Sequence, residues 1–160
     1  MPPKIAFHVH SPFCLIEIGD QAFADMRRYR QIATSAPEAG GVLLGARRGP
    51  HFEIVEATAP QKVDLRTRFS FVRTGNVHRK LARRQWKKSG QKHGYLGEWH
   101  THPEFSPTPS LVDRLGWQAL FKQIRQPLIH LILGTAEARL WYCDANGVFH
   151  EAKRFPASIS

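Results

Sequence analysis

Short apolar runs alternate with apolar positions at helical spacing along this chain, and the alternation predicts a mixed α/β fold. Residues 5–10 read as a short strand. From 20 to 34, Phe23 and Met26 recur at helical spacing with Arg27 and Arg30, and Asp20 stands where an N-cap belongs. Pro37 and Gly40-Gly41 punctuate the chain beyond it. Val42-Leu43-Leu44-Gly45 fits a buried strand, and Arg47-Arg48-Gly49-Pro50 turns it into a second strand at 52–57. The polar stretch 58–68 reads as a loop, and 69–72 as a further short strand.

Residues 75–88 predict an amphipathic helix. On a helical wheel Arg79, Lys80, Arg83, Arg84 and Lys87 share one arc, while Val77, Leu81, Ala82 and Trp86 occupy the other half. A strand is expected over 95–102, a loop with three prolines over 103–109, and a helix from Ser110 to about 124. Three strands follow at 128–133, 138–142 and 148–152, joined by Gly134-Thr135 and by the hairpin signal Asn146-Gly147. With the short strand at 69–72 left aside, the succession β-α-β-β-α-β-α-β-β-β indicates an α/β fold, a mixed central sheet flanked by helices.

Length and composition narrow the class. A chain of 160 residues is enough for one ordinary domain with its own core, so residues 1–160 are read as a single unit. No apolar run approaches the roughly 20 residues that a membrane helix needs. Met1-Pro2-Pro3-Lys4-Ile5 lacks the apolar core of a signal peptide, which makes the cytoplasm the expected compartment. Cys14 and Cys143 stand far apart and imply no disulfide framework. The net charge of +10 favours acidic partners such as nucleic acid, an acidic protein face or an anionic membrane surface without naming one, and a merely soluble basic surface outranks nucleic-acid binding.

The candidate chemistry lies in His100-Thr101-His102-Pro103, six further residues, and Ser110-Leu111-Val112-Asp113. Alternate residues of a strand share a face, so His100 and His102 can share one metal ion. With Asp113 they make three protein ligands of the type zinc prefers, and water takes the fourth position of a catalytic site. Ser110-x-x-Asp113 also matches the capping box that opens many helices. The two readings are compatible, because a carboxylate in a first helical turn is held at a fixed point. His8-Val9-His10 repeats the His-x-His spacing with no Ser and Asp behind it, and is expected to be structural.

In that order and spacing, these residues resemble the JAMM motif of the MPN+ metallopeptidases. Upstream, the segment Pro37-Glu38-Ala39-Gly40-Gly41-Val42-Leu43-Leu44-Gly45 looks like the family's glutamate before its first core strand. The resemblance spans residues 20 to 152 and is closest to bacterial stand-alone peptidases of ubiquitin-like conjugation systems, including antiphage ones. It implies a single JAMM/MPN-type domain of cytidine-deaminase-like architecture with one zinc ion. It implies His100, His102 and Asp113 as ligands, Glu38 as general base through zinc-bound water, and Ser110 as oxyanion stabiliser. The implied substrate is a ubiquitin-like protein or its conjugate, cut after the modifier's C-terminus, with E1/E2-like conjugation enzymes as partners. Phe105 and Glu104, in the loop beside the site, are the substrate-binding candidates. Glu98, on the strand face of His100 and His102, competes with Glu38 as the neighbouring carboxylate. Trp99 and Trp117 read as core. A zinc amidase for small conjugates or sulfur-carrier tails, a DNA-repair-associated JAMM domain and a non-catalytic MPN scaffold are the other readings.

Overall fold

The computed structural model describes residues 5–155. Residues 1–4, read above for an export signal, lie outside it, as do 156–160. Among the described residues the elements run β1 (Ile5–Val9), β2 (Cys14–Ile18), α1 (Asp20–Arg27), β3 (Gly40–Arg48), β4 (His51–Ala57), β5 (Leu65–Thr67) and β6 (Ser70–Val72). They continue with α2 (Val77–Lys88), β7 (Gly94–Thr101), α3 (Leu111–Ile124), β8 (Leu128–Leu133), β9 (Ala138–Cys143) and β10 (Phe149–Arg154).

The fold is mixed α/β with helices packed on a mixed sheet, as expected, but the sheet is not specifically that of a cytidine-deaminase-like architecture. The sheet closes into a barrel in the order β1-β10-β9-β8-β7-β3-β4-β2. The closure depends on β2, an element the apolar pattern did not announce. Cys14, Ile16 and Ile18 are buried while Leu15 and Glu17 alternate with them, a strand signature only five residues long. β2 pairs antiparallel with β1 and parallel with β4, so it seals the gap between the chain's first strand and its β3–β4 hairpin. The segment 58–68 is likewise not all loop, since β5 pairs with β6 as a separate small hairpin.

Side chains of the barrel strands fill one core. Phe7, Ile16, Leu43, Ile54, Leu96, Trp99, Leu131 and Leu140 meet there, and α1 adds Phe23 and Met26. A smaller cluster of Trp117, Ile132 and Trp141 lies between α3 and the outer face of the sheet. All six residues of β8 are therefore buried, with barrel interior on one side and α3 on the other. Both tryptophans read as core, Trp99 and Trp117, are buried. His8 rests against the Phe155 ring, and its His-x-His pair joins no ligand cluster among the described residues.

Helix α1 stops at Arg27 rather than continuing to 34, and Gly19, not Asp20, takes the N-cap position. Gln31 is the reason for the early end. Its buried amide donates to the Ala36 and Arg68 carbonyls and accepts from the Thr101 hydroxyl, which draws the chain off the helical path. Helix α2 packs on β3 and β7 mainly through His78. His78 Nδ1 meets the Thr58 hydroxyl at 2.7 Å and Nε2 meets Asp64 at 2.7 Å, all three being buried. Thr58 Oγ1 also accepts from the Val42 N–H, so this network fixes α2 to the strand beside the site.

Glycines allow β3 and β7 their close neighbours. Gly97 has φ +152°, and a Cβ there would lie 1.8 Å from the Ile129 carbonyl oxygen. At Gly41 a Cβ would meet the Thr58 carbonyl at 2.1 Å.

Candidate metal centre

Strand β7 delivers the two histidines. It pairs antiparallel with β3, with Gly40 opposite His100, and parallel with β8. Beyond its last residue the chain stays extended, because the His102 N–H donates to the Leu133 carbonyl. His100 and His102 consequently keep a common face, with Nε2 atoms 3.1 Å apart.

Asp113 reaches the same point from the first turn of α3. The Asp113 N–H donates to Ser110 Oγ and the Ser110 N–H donates to Asp113 Oδ2, a complete capping box. The carboxylate oxygens then lie 3.3 Å from His100 Nε2 and 3.1 Å from His102 Nε2. Both roles read from the sequence are realised in one geometry, helix cap and convergence on the histidines.

These three residues are the one cluster of potential metal ligands among the described residues. The two Nε2 atoms lie 3.1 Å apart, and each has a different Asp113 oxygen near it, Oδ1 at 3.3 Å from His100 and Oδ2 at 3.1 Å from His102. Two imidazole nitrogens and a carboxylate clustered within 4.8 Å of one another are a donor set that zinc takes. Burial by itself would raise the Asp113 carboxyl, but hydrogen bonds from His100 and His102 outweigh it and hold it well below the usual carboxylate range. Burial would lower His102, but hydrogen bonds to Asp113 and Glu104 push it up to about 8. The three groups place one carboxylate beside two imidazole nitrogens, and a bound cation would take the place of the proton that His102 otherwise holds.

Glu38 sits just before β3. Its N–H donates to the Thr67 carbonyl at 2.7 Å and its carbonyl accepts from Arg66 Nε, so β5 holds its backbone on both sides. Ala39 and Thr101 exchange two further bonds across the strands. The Glu38 carboxylate is buried, with Oε1 3.9 Å from His102 Nε2. Burial pushes its pKa up to about 7, only partly offset by the two histidines. Glu98, the competing carboxylate, points elsewhere: it pairs with Arg73 and accepts from the Tyr95 hydroxyl at 3.2 Å.

A cleft of about 520 Å³ opens over the cluster, lined among others by Glu38, Phe69, Phe71, Glu104 and Ser110. The β5–β6 hairpin forms one wall and the start of α3 the other. Ser110 Oγ accepts from the helix, which leaves its O–H to donate into the cleft. Glu104 is engaged with the site itself, because its Oε1 lies 2.9 Å from His102 Nδ1. Phe105 is 67% exposed and is not among the residues lining the cleft, although its carbonyl accepts from Glu137. Sequence reasoning missed Gln31, Thr101 and Arg66 as the supports of this site. Their bonds cross 28 to 70 positions of the chain and leave no local signal.

A family model described as prokaryotic homologs of the JAB domain matches residues 20–144, which include every element of this site. The chain belongs to that family. The JAMM resemblance read from the motif therefore holds at family level. A CD-NTase/cGAS isopeptidase from Vibrio cholerae is 39% identical over 105 residues, 66% of this chain and 67% of its own length. One of the same name from Pseudomonas aeruginosa is 38% identical over 122 residues, 75% of this chain and 77% of its own. The solution structure of protein DSY2949 from Desulfitobacterium hafniense superposes with a TM-score of 0.60, covering 85% of this chain and 88% of that one. At 21% identity that likeness concerns the fold of the JAB domain alone. No helix among the described residues is long and apolar enough to cross a membrane.

Proposed function

We propose that this chain is a single-domain, zinc-dependent isopeptidase. Its substrate is the amide joining the C-terminus of one protein to an amine of another. The relatives' names point to conjugates of a CD-NTase/cGAS-type enzyme, with a ubiquitin-like modifier as the other acyl partner to test. The observation that carries the reading is the ligand triangle of His100, His102 and Asp113 with the Glu38 carboxylate beside it. Cys14 and Cys143 are free and buried, which fits work in a reducing cytoplasm.

The chemistry divides among residues. His100, His102 and Asp113 hold the ion. When bound, zinc supplies Lewis acidity, polarising the scissile carbonyl and acidifying water toward a pKa of about 7. Glu38, buried and poised near neutrality, takes the proton from the attacking water and delivers it to the leaving amine. The Ser110 O–H donates to the oxyanion as it develops, a contribution of roughly 3 kcal/mol. Glu104 receives the Nδ1–H of His102 and so keeps Nε2 as the ligating atom.

The test is intact-mass analysis of a CD-NTase-type protein and of a ubiquitin-like protein, each with a short C-terminal extension, after incubation with zinc-loaded enzyme. One cut at the native C-terminus is expected. Glu38→Ala should retain zinc and lose cleavage by at least about 100-fold. Retained cleavage in that variant would remove Glu38 from the mechanism. No cut in either substrate by zinc-loaded wild type would overturn the isopeptidase reading.

A further inference from the structure

Helix α2 carries Arg79, Lys80, Arg83, Arg84, Lys87 and Lys88, all exposed, and no acidic residue. None of the ion pairs among the described residues involves them. Arg79–Arg83–Lys87 and Lys80–Arg84 are like-charge neighbours at i,i+4, which weakens a helix. Arg79 and Lys80 also lie in the first turn, where the helix dipole disfavours cations, and the Asn76 side chain supplies no cap. Lys87 and Lys88 suit the dipole at the last turn and His78 anchors the helix, but no ion pair among the described residues meets these cations, so an anion from outside is the partner this face lacks.

We propose that the outer face of α2 is an exosite for an acidic surface of the protein substrate. The proposal rests on the isopeptidase reading above. Four adjoining depressions lie between the two regions, each sharing lining residues with the next. The cleft over the metal centre shares Phe71 and Asp113 with the next depression, which shares Arg73 and Leu120 with a third. That one shares Ala82 and Tyr95 with a final hollow of about 520 Å³ beside Trp86, Arg47 and Lys92. Trp86 is 42% exposed, and an exposed indole flanked by cations is the residue type that anchors protein interfaces. A substrate body docked on α2 can therefore remain continuous with a segment lying in the cleft. Protein is favoured over nucleic acid because the route ends in a cleft lined by Glu38, Glu104 and Asp113, and these carboxylates disfavour a polyphosphate.

Fluorescence anisotropy with a fluorescein-labelled deca-glutamate peptide, at roughly 0.1 M salt, reads this surface without turnover. The full-length wild type should bind, and Arg79→Glu/Arg83→Glu/Lys87→Glu should bind at least about ten-fold more weakly. Circular dichroism controls for the fold of the variant. Equal binding by the two proteins overturns the proposal. So does a labelled deca-thymidylate strand that binds wild type more tightly than the peptide and is lost in the variant, because it assigns the face to nucleic acid. Steady-state kinetics then link the face to cleavage. The variant should raise KM for a folded conjugate about ten-fold, with kcat unchanged, and cut a short peptide spanning the same bond at the wild-type rate. An unchanged KM for the folded conjugate overturns the exosite and leaves the isopeptidase reading standing. Failure of zinc-loaded wild type to cut either substrate removes the isopeptidase reading, and the anisotropy alone then decides whether α2 binds acidic protein.

Discussion

Glu104 and Glu38 show how two glutamates near one histidine divide the work. Glu104 is about half exposed, yet its carboxylate faces His102 Nδ1 at 2.9 Å. A ligand histidine held in this way keeps its tautomer and ring orientation. Glu104→Ala should weaken zinc binding about 10- to 100-fold, measured by competition with a chromogenic chelator, and Glu104→Gln should lose less. Equal zinc affinity in wild type and Glu104→Ala would return Glu104 to the role expected from sequence, a contact for substrate. Glu38 faces the opposite ring atom, Nε2, from a buried position that raises its pKa to about 7. The neighbours that fix it, Thr67 and Arg66, are not recognisable from the 37–45 segment alone.

At the level of elements, α3 and α2 are attached by different chemistry. The capping box both starts α3 and aims Asp113. Ser110→Ala should lower thermal stability by about 1 kcal/mol and weaken zinc binding, whereas Ser110→Asp should keep the cap. A variant with unchanged stability and zinc affinity would separate the cap from the ligand. Helix α2 hangs on the buried Thr58–His78–Asp64 network. Burial would raise the Asp64 carboxyl, but the Gln61 N–H, the His78 ring and the Thr74 N–H outweigh it and hold it below the usual carboxylate range. A depressed folded-state pKa means the stabilisation is complete above the unfolded value of about 3.9 and lost as pH falls through the folded value. Asp64→Asn should therefore be less stable than wild type by about 2 kcal/mol at neutral pH, with the gap closing below about pH 4. Denaturant unfolding at several pH values checks this, and a gap that stays constant to pH 3 would contradict it.

At the scale of the molecule, the barrel brings together ligands from two separate elements, and their charges converge in the folded state only. If the proposed zinc site is right, the ion binds the native state far better than the unfolded chain and stabilises it. At a thousand-fold excess over the dissociation constant the gain is about 4 kcal/mol. Melting curves with and without a chelator should show it, and His102→Ala should abolish it. Equal melting temperatures in wild type with and without zinc would mean that the triangle holds no ion. The net charge of +10 is also a whole-molecule property; the sequence already puts a cluster of its cations on one helix, and the fold adds that no ion pair among the described residues meets them.

Periodicity and motif spacing determined most elements, the candidate ligand set and the family, because each depends on residues within a few turns or strands of one another. His100, His102, Ser110 and Asp113 lie within fourteen positions and were legible for that reason. Barrel closure through β2, the shortening of α1 by Gln31 and the seating of Glu38 on β5 depend on pairings between distant segments. Such contacts carry no local periodicity, and their energies exist only when the whole chain has folded. The tertiary structure alone decided which carboxylate stands beside the histidines, Glu38 rather than Glu98, because Arg73 and Tyr95 come through the fold to occupy Glu98.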